Sequence, residues 1–140
     1  MTKPASGPAY IYYRRGYKYQ LTRAYKCRLP MTGHTVDHDF ICLDPDGSLT
    51  IRAGYAWDGP SGPALDTANF MRGSLVHDVL YQLMGTGQLP VSCKDQADRI
   101  LQAICREDGM SSIRAWWVYH AVKRFGDPRP SEYLPETVAP

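Results

Sequence analysis

The chain has 140 residues, 44% hydrophobic and 21% charged, with a formal net charge of +2. A chain of this size buries a core without needing cross-links, and so mild a charge does not point to a nucleic-acid partner, which wants a dense Lys/Arg face. The four cysteines form no CxxC pair and have no histidines at zinc-finger spacing, so a structural zinc site is not expected.

Residues 1–8 mix Pro, Gly, Ser and Ala without a hydrophobic period and predict a mobile arm. This stretch lacks the apolar segment of a signal peptide, and no run in the chain reaches the roughly 18 apolar residues of a membrane span. A reducing cytoplasm, or export by something other than a signal of its own, is the expected setting. Residues 9–56 read as strands: "AYIYYR" and "YKYQLTRAYKC" are rich in Tyr, Ile and Thr around a break at Gly16, while "HDFICLD" and "LTIRAGY" flank "DPDG". Pro45 presets the φ of that turn and Gly47 can take a positive one. An antiparallel meander or small curled sheet is predicted.

"WDGPSGP", residues 57–63, is too rich in Gly and Pro for a regular element and predicts a shaped loop. Asp66 or Thr67 can cap a first helix reaching about Met84. Ser92 or Lys94 opens a second through about Glu107, closed by Gly109, and Ser111 or Ser112 caps a third ending at Gly126. Residues 127–140 carry four prolines and predict an extended tail. The fold class is therefore α+β: an N-terminal antiparallel β-meander, a Gly/Pro loop and three C-terminal helices, in a single domain over residues 9–126.

Within the first helix, "GSLVHDVLYQL" sets His77 beside Asp78 and puts Tyr81 one turn after the histidine. Residues four apart share a helix face, whereas neighbours are turned about 100° apart, so His77 and Tyr81 look one way and Asp78 another. If the second helix returns antiparallel, Asp95 and Asp98 come alongside, and Asp98 can accept hydrogen bonds from the imidazole and the phenol. A carboxylate on one imidazole nitrogen fixes the tautomer and leaves the other nitrogen to take a proton from water, a general-base dyad. Asp78 is directed instead toward the "WDGPSGP" loop, where a carboxylate and backbone carbonyls make an oxygen site suited to Ca2+. The competing structural reading makes Asp78 and Asp98 polar latches that hold the loop against the helices.

This order of glycine loop, His-Asp-x-x-Tyr helix and aspartate on a second helix resembles the core of the secreted-type phospholipase A2 superfamily, most closely its compact, disulfide-free version in parvovirus capsid proteins. The resemblance spans residues 57 to about 125. It implies His77 as general base, Asp98 as dyad aspartate and Tyr81 as the tyrosine supporting the dyad. Calcium would be held by Asp78 with the loop at Trp57, Gly59 and Ser61, and a phospholipid or membrane surface would be the substrate. Trp57 stands where that family carries tyrosine and Ser61 where it carries a loop glycine; Pro60 has no N–H to donate, which leaves the Gly59 amide for an oxyanion.

Separately, "AWDGPSGP", "RGSLVHDVLY" and "WWVYHAVKRFG" are similar to an uncharacterised family common in tailed phages and prophages. That resemblance implies a phage or prophage source and a place in the host cytoplasm or the virion. It also frames the alternative function, a non-catalytic virion or tail-associated accessory protein whose loop and helices contact phage structural proteins. A metal phosphohydrolase is a third option, and it would need extra ligands from His34, His38 or His120. "GHTVDHDF" is nonetheless read as a polar turn before a strand, and His120 as a packing or surface residue. Of the adjacent Trp116 and Trp117, one is expected to pack and the other to be exposed, where with Arg114, Lys123 and Arg124 it could meet a headgroup layer or a protein. The tyrosines of "YIYYRRGYKY" fit ordinary strand alternation.

Overall fold

The computed structural model describes residues 10–14, 19–57 and 68–128. Alternation along the strands sets the first sheet. In β3 (Tyr25–Arg28) Tyr25 and Cys27 point inward and Lys26 and Arg28 outward, and in β6 (Ser48–Ile51) Leu49 and Ile51 are buried. The two pair antiparallel with Tyr25 opposite Ile51, and β5 (Ile41–Leu43) and β4 (Val36–Asp37) complete the order β3-β6-β5-β4. The turn into β6 is the predicted one: Gly47 has φ +94°, its N–H donates to the Asp44 carbonyl at 2.9 Å, and Asp46 Oδ1 accepts the Ser48 N–H at 2.9 Å. Any side chain at Gly47 would also overlap the Leu29 carbonyl oxygen.

The antiparallel strands fall in two sheets. "YKYQLTRAYKC" breaks at residues 22–24, because Leu21 and Tyr25 are both buried while Arg23 between them is exposed. An unbroken strand would turn all three the same way. β2 (Tyr19–Leu21) therefore leaves β3 and joins β1 (Tyr13–Arg14) and β7 (Ala56–Trp57) in the order β1-β2-β7. The Tyr13, Tyr19 and Trp57 rings cluster with centroids 5.6–5.9 Å apart. Gly16, the residues proposed to cap the first helix, the arm and most of the tail lie outside the described residues.

α1 (Ala68–Gly85) is apolar on nearly every face, and its residues from Phe70 to His77 are all buried; a helix of this kind needs neighbours all round. The sheets and α2 (Lys94–Glu107, after a 3-10 turn at Val91–Cys93) supply them. Leu21, Leu43 and Ile51 from the strands meet Leu75, Val79 and Leu83 of α1 and Ile100 and Ile104 of α2 in a shared core, each side chain contributing about 1.5–3 kcal/mol by leaving water. α2 runs antiparallel to α1: Arg72 meets Asp108 near one end, and His77 and Tyr81 meet Asp98 further along. Gly73 allows the close approach, since a Cβ there would sit 3.0 Å from both Cys105 Sγ and Leu101 Cδ1.

α3 (Ser112–Phe125) is capped by Ser111, whose Oγ accepts the Arg114 N–H at 3.2 Å. It buries Ala115, Val118 and Tyr119, and Ala115 and Val118 share a second core with Phe70 and Leu101. The expectation that one of the two tryptophans packs is overturned: Trp116 is 49% exposed and Trp117 64%. The packed arc is centred on residues 115, 118, 119 and 122, and at 100° per residue positions 116 and 117 both point away from it. No helix among the described residues is long and apolar enough to cross a membrane.

Candidate active site

Asp98 is fully buried and holds the centre of a polar cluster. From α1, His77 Nε2 lies 2.8 Å from Asp98 Oδ1 and the Tyr81 hydroxyl donates to the same oxygen at 2.6 Å. Lys94, one turn earlier on α2, donates to Oδ2 at 2.8 Å. A buried carboxylate is costly unless its lone pairs are occupied, and here both oxygens accept. Burial pushes the Asp98 carboxyl up, but the hydrogen bonds from His77, Lys94 and Tyr81 outweigh it and hold the group below its ordinary value. For Tyr81, burial and the bond to Asp98 both raise the phenol, which stays neutral and donating.

Beside an ionised Asp98, which can only accept, His77 must carry a proton on Nε2, so in the neutral ring the lone pair is on Nδ1. No described residue hydrogen-bonds Nδ1, and no buried side-chain nitrogen or oxygen among the described residues lacks a partner. Nδ1 is therefore the ring nitrogen on the solvent side. His77 is 6% exposed and its ring packs on Tyr81 with centroids 4.1 Å apart. A histidine held in one tautomer with a reachable lone pair is chemically a positioned base.

Asp78 is half-buried and turned off the dyad axis. Trp57, where the Gly/Pro loop begins, is buried and donates from Nε1 to Ser74 Oγ at 3.1 Å. Ser74 and Asp78 are four apart on α1 and share a face, so the Trp57 indole is anchored one helical turn before Asp78. Gly59 and Ser61 lie outside the described residues.

Two participants escaped the sequence reading. Lys94 was visible only as a helix start, although its i,i+4 spacing to Asp98 was a usable signal. Its ammonium also donates to the Val122 and Lys123 carbonyls at 3.0 and 3.1 Å, joining the end of α3 to the dyad. Arg72 is buried in α1, donating to both Asp108 oxygens at 3.1 and 2.8 Å and to the Tyr25 hydroxyl at 3.0 Å. It ties α1, the end of α2 and β3 together, and nothing in the amphipathic pattern marks it.

Asp95 does not join Asp98 at the dyad. It sits at the helix surface, accepting from the Tyr119 hydroxyl at 2.6 Å and from Arg99 at 2.8 Å. His38 belongs to the tight connection between β4 and β5, where its backbone pairs with Ile41. His34 Nε2 is 3.8 Å from Cys93 Sγ, and His120 packs against Trp116 at a tilt, with ring centroids 4.1 Å apart. Among the described residues no three His, Cys, Asp or Glu side chains are grouped to hold a metal. All four cysteines are free thiols.

Compared with known protein families, the chain matches DUF1353, described as a protein of unknown function, over residues 34–122, more than half its length. The chain belongs to the DUF1353 family. The DUF1353 region runs from just before β4 to the last turn of α3, and so contains Trp57, His77, Asp78, Tyr81, Lys94 and Asp98. β1, β2 and β3 precede it. No curated protein and no solved structure matches the chain.

Proposed function

We propose that this DUF1353 protein hydrolyses a phospholipid or related ester, with calcium as its cofactor. The observation that carries the reading is the 2.8 Å hydrogen bond between His77 Nε2 and Asp98 Oδ1, which leaves Nδ1 as the available base. His77 Nδ1 takes a proton from water, the resulting hydroxide adds to the ester carbonyl, and the same proton passes to the departing alkoxide as the ester bond breaks. Asp98 stays ionised throughout and steadies the imidazolium, while Tyr81 and Lys94 keep the carboxylate oriented.

In kind, a carboxylate and backbone carbonyls are the donors calcium takes. Asp78 would supply a hard carboxylate oxygen and the loop that begins at Trp57 would supply backbone carbonyls, the ligands a calcium ion prefers. Asp78 with the loop carbonyls at Trp57, Gly59 and Ser61 would hold the ion. When bound, it would supply positive charge for the developing oxyanion. The resemblance of "AWDGPSGP" and "RGSLVHDVLY" to phage and prophage proteins adds the proposal of a phage source, with the protein in the host cytoplasm or the virion.

One observation favours the second reading, a non-catalytic accessory protein contacting phage structural proteins. Asp98 bridges α1, α2 and, through Lys94, α3, as a structural latch would. Titration calorimetry with calcium on wild type and Asp78→Asn, followed by a phospholipid ester assay with His77→Ala as control, separates the two. Saturable binding lost in Asp78→Asn and turnover lost in His77→Ala support the hydrolase. A folded wild type that neither binds calcium nor cleaves ester leaves the accessory role.

A further inference from the structure

α3 is apolar on two opposite sides. One side, through Ala115, Val118 and Tyr119, packs within the protein. On the other, Ile113 is 73% exposed, Trp117 64% and Phe125 79%, with Trp116 beside them. These side chains contact one another: Trp116 and Trp117 meet edge-to-face at 5.3 Å, and Trp116 packs against His120 at a tilt. Trp116, Trp117, Phe125, Lys123 and Arg124 are among the residues that line an open recess of about 570 Å³. Contiguous exposed apolar side chains of this kind are the usual mark of an interaction surface.

Basic side chains at the end of this helix favour an anionic occupant, with Asp95 of α2 near Lys123 and the exposed Asp127 just beyond Gly126 as the nearby acidic groups. α3, "SIRAWWVYHAVKRF", contains no aspartate or glutamate, and Lys123 and Arg124 are both exposed at its end. Indole and phenyl rings prefer the boundary between hydrocarbon and water, and flanking Lys and Arg reach anionic headgroups while their stems lie on the apolar layer. We infer that the outer face of α3 docks on the surface of an anionic lipid bilayer, with Ile113, Trp116, Trp117 and Phe125 entering the headgroup boundary and Lys123 and Arg124 pairing with lipid phosphates. The inference goes beyond the hydrolase reading and stands on these side chains alone. It also gives docking a route to the dyad, since the carbonyls of Val122 and Lys123 on the docking helix hold Lys94, which holds Asp98.

The test is co-sedimentation of the full chain with large unilamellar vesicles of phosphatidylcholine, with and without phosphatidylglycerol, at about 0.1 M salt, where surface attraction persists within a Debye length of about 10 Å. Tryptophan emission is followed in parallel. Trp57 is already buried, so a blue shift reports Trp116 and Trp117. Binding that strengthens at least about tenfold with phosphatidylglycerol and weakens about tenfold or more in Trp116→Ala/Trp117→Ala, with the thermal melt held, is the expected result. Lys123→Glu/Arg124→Glu provides a second variant that leaves the aromatic face intact, and it should lose at least about tenfold on anionic vesicles. His77→Ala should bind vesicles as wild type does, which separates this inference from the hydrolase reading. Absence of wild-type binding to anionic vesicles, or binding unchanged in both double variants, overturns the proposal, and the face then belongs to a protein partner.

Discussion

Lys94 Nζ lies 2.8 Å from Asp98 Oδ2 and gives its other two hydrogens to the carbonyls of Val122 and Lys123. One side chain thus ties the dyad carboxylate on α2 to the end of α3. Because these bonds, with those of His77 and Tyr81, hold the Asp98 carboxyl below its ordinary value, folding favours its ionised form. That contribution is complete above the unfolded carboxyl value of about 3.9 and is lost as pH falls through the lower folded value. Lys94→Met removes one of the lowering influences, so the acid unfolding midpoint should move to higher pH, with a loss of about 1.5–3 kcal/mol at neutral pH. Circular dichroism across an acid titration measures both. An unmoved acid midpoint would show that Lys94 does not stabilise the ionised carboxylate.

His77→Ala removes the proposed base but leaves Asp98 two of its three donors. The fold should survive with a loss of about 1–2 kcal/mol, while the proposed ester turnover falls at least about 100-fold. Chemical denaturation beside a chromogenic ester assay reads the two effects separately. Turnover retained in this variant would remove His77 from the chemistry.

Asp98→Ala is the harsher change, because it leaves His77, Tyr81 and Lys94 turned toward a site with no acceptor. It should cost about 3–5 kcal/mol, more than His77→Ala. Equal losses from the two substitutions, measured by the same denaturation curves, would contradict a central role for Asp98 in the cluster.

Arg72 pairs with both oxygens of Asp108 from a buried position, a geometry an ammonium cannot copy. Arg72→Ala should destabilise by about 3–5 kcal/mol, and Arg72→Lys should recover only part of that loss. Full recovery by lysine in thermal melts would show that charge alone matters there. Arg72 also steadies the hydroxyl of Tyr25, whose pKa burial pushes up to about 12.

Cys27, Cys93 and Cys105 are buried, and burial pushes the thiols of Cys27 and Cys105 up to about 11 and about 12. Cys42 is more accessible. A thiol reagent at pH 8 should therefore modify about one cysteine quickly in the native protein, Cys42, and the remainder only after unfolding. Fast modification of Cys105 in the folded state would contradict the close contact between α1 and α2 at Gly73.

Much of this fold was readable along the chain, because local chemistry acts over a few residues. The Asp44-Pro45-Asp46-Gly47 turn, the Ser111 cap and the ends of α2 and α3 follow from φ preferences and hydrogen bonds between near neighbours. The same holds for His77 and Tyr81 sharing a face, since helical spacing alone fixes it, and an antiparallel return sufficed to suggest Asp98. Tertiary structure decided the rest. Which strand leaves one sheet for the other depends on Leu21 and Tyr25 reaching a common core across the bend at residues 22–24. Both tryptophans of α3 are exposed because the arc that packs is chosen by α2, and a pattern apolar on two sides does not say which side that will be. Lys94 and Arg72 acquired their partners from elements 28 to 47 residues away. Such contacts depend on how whole elements pack, and no local period encodes them.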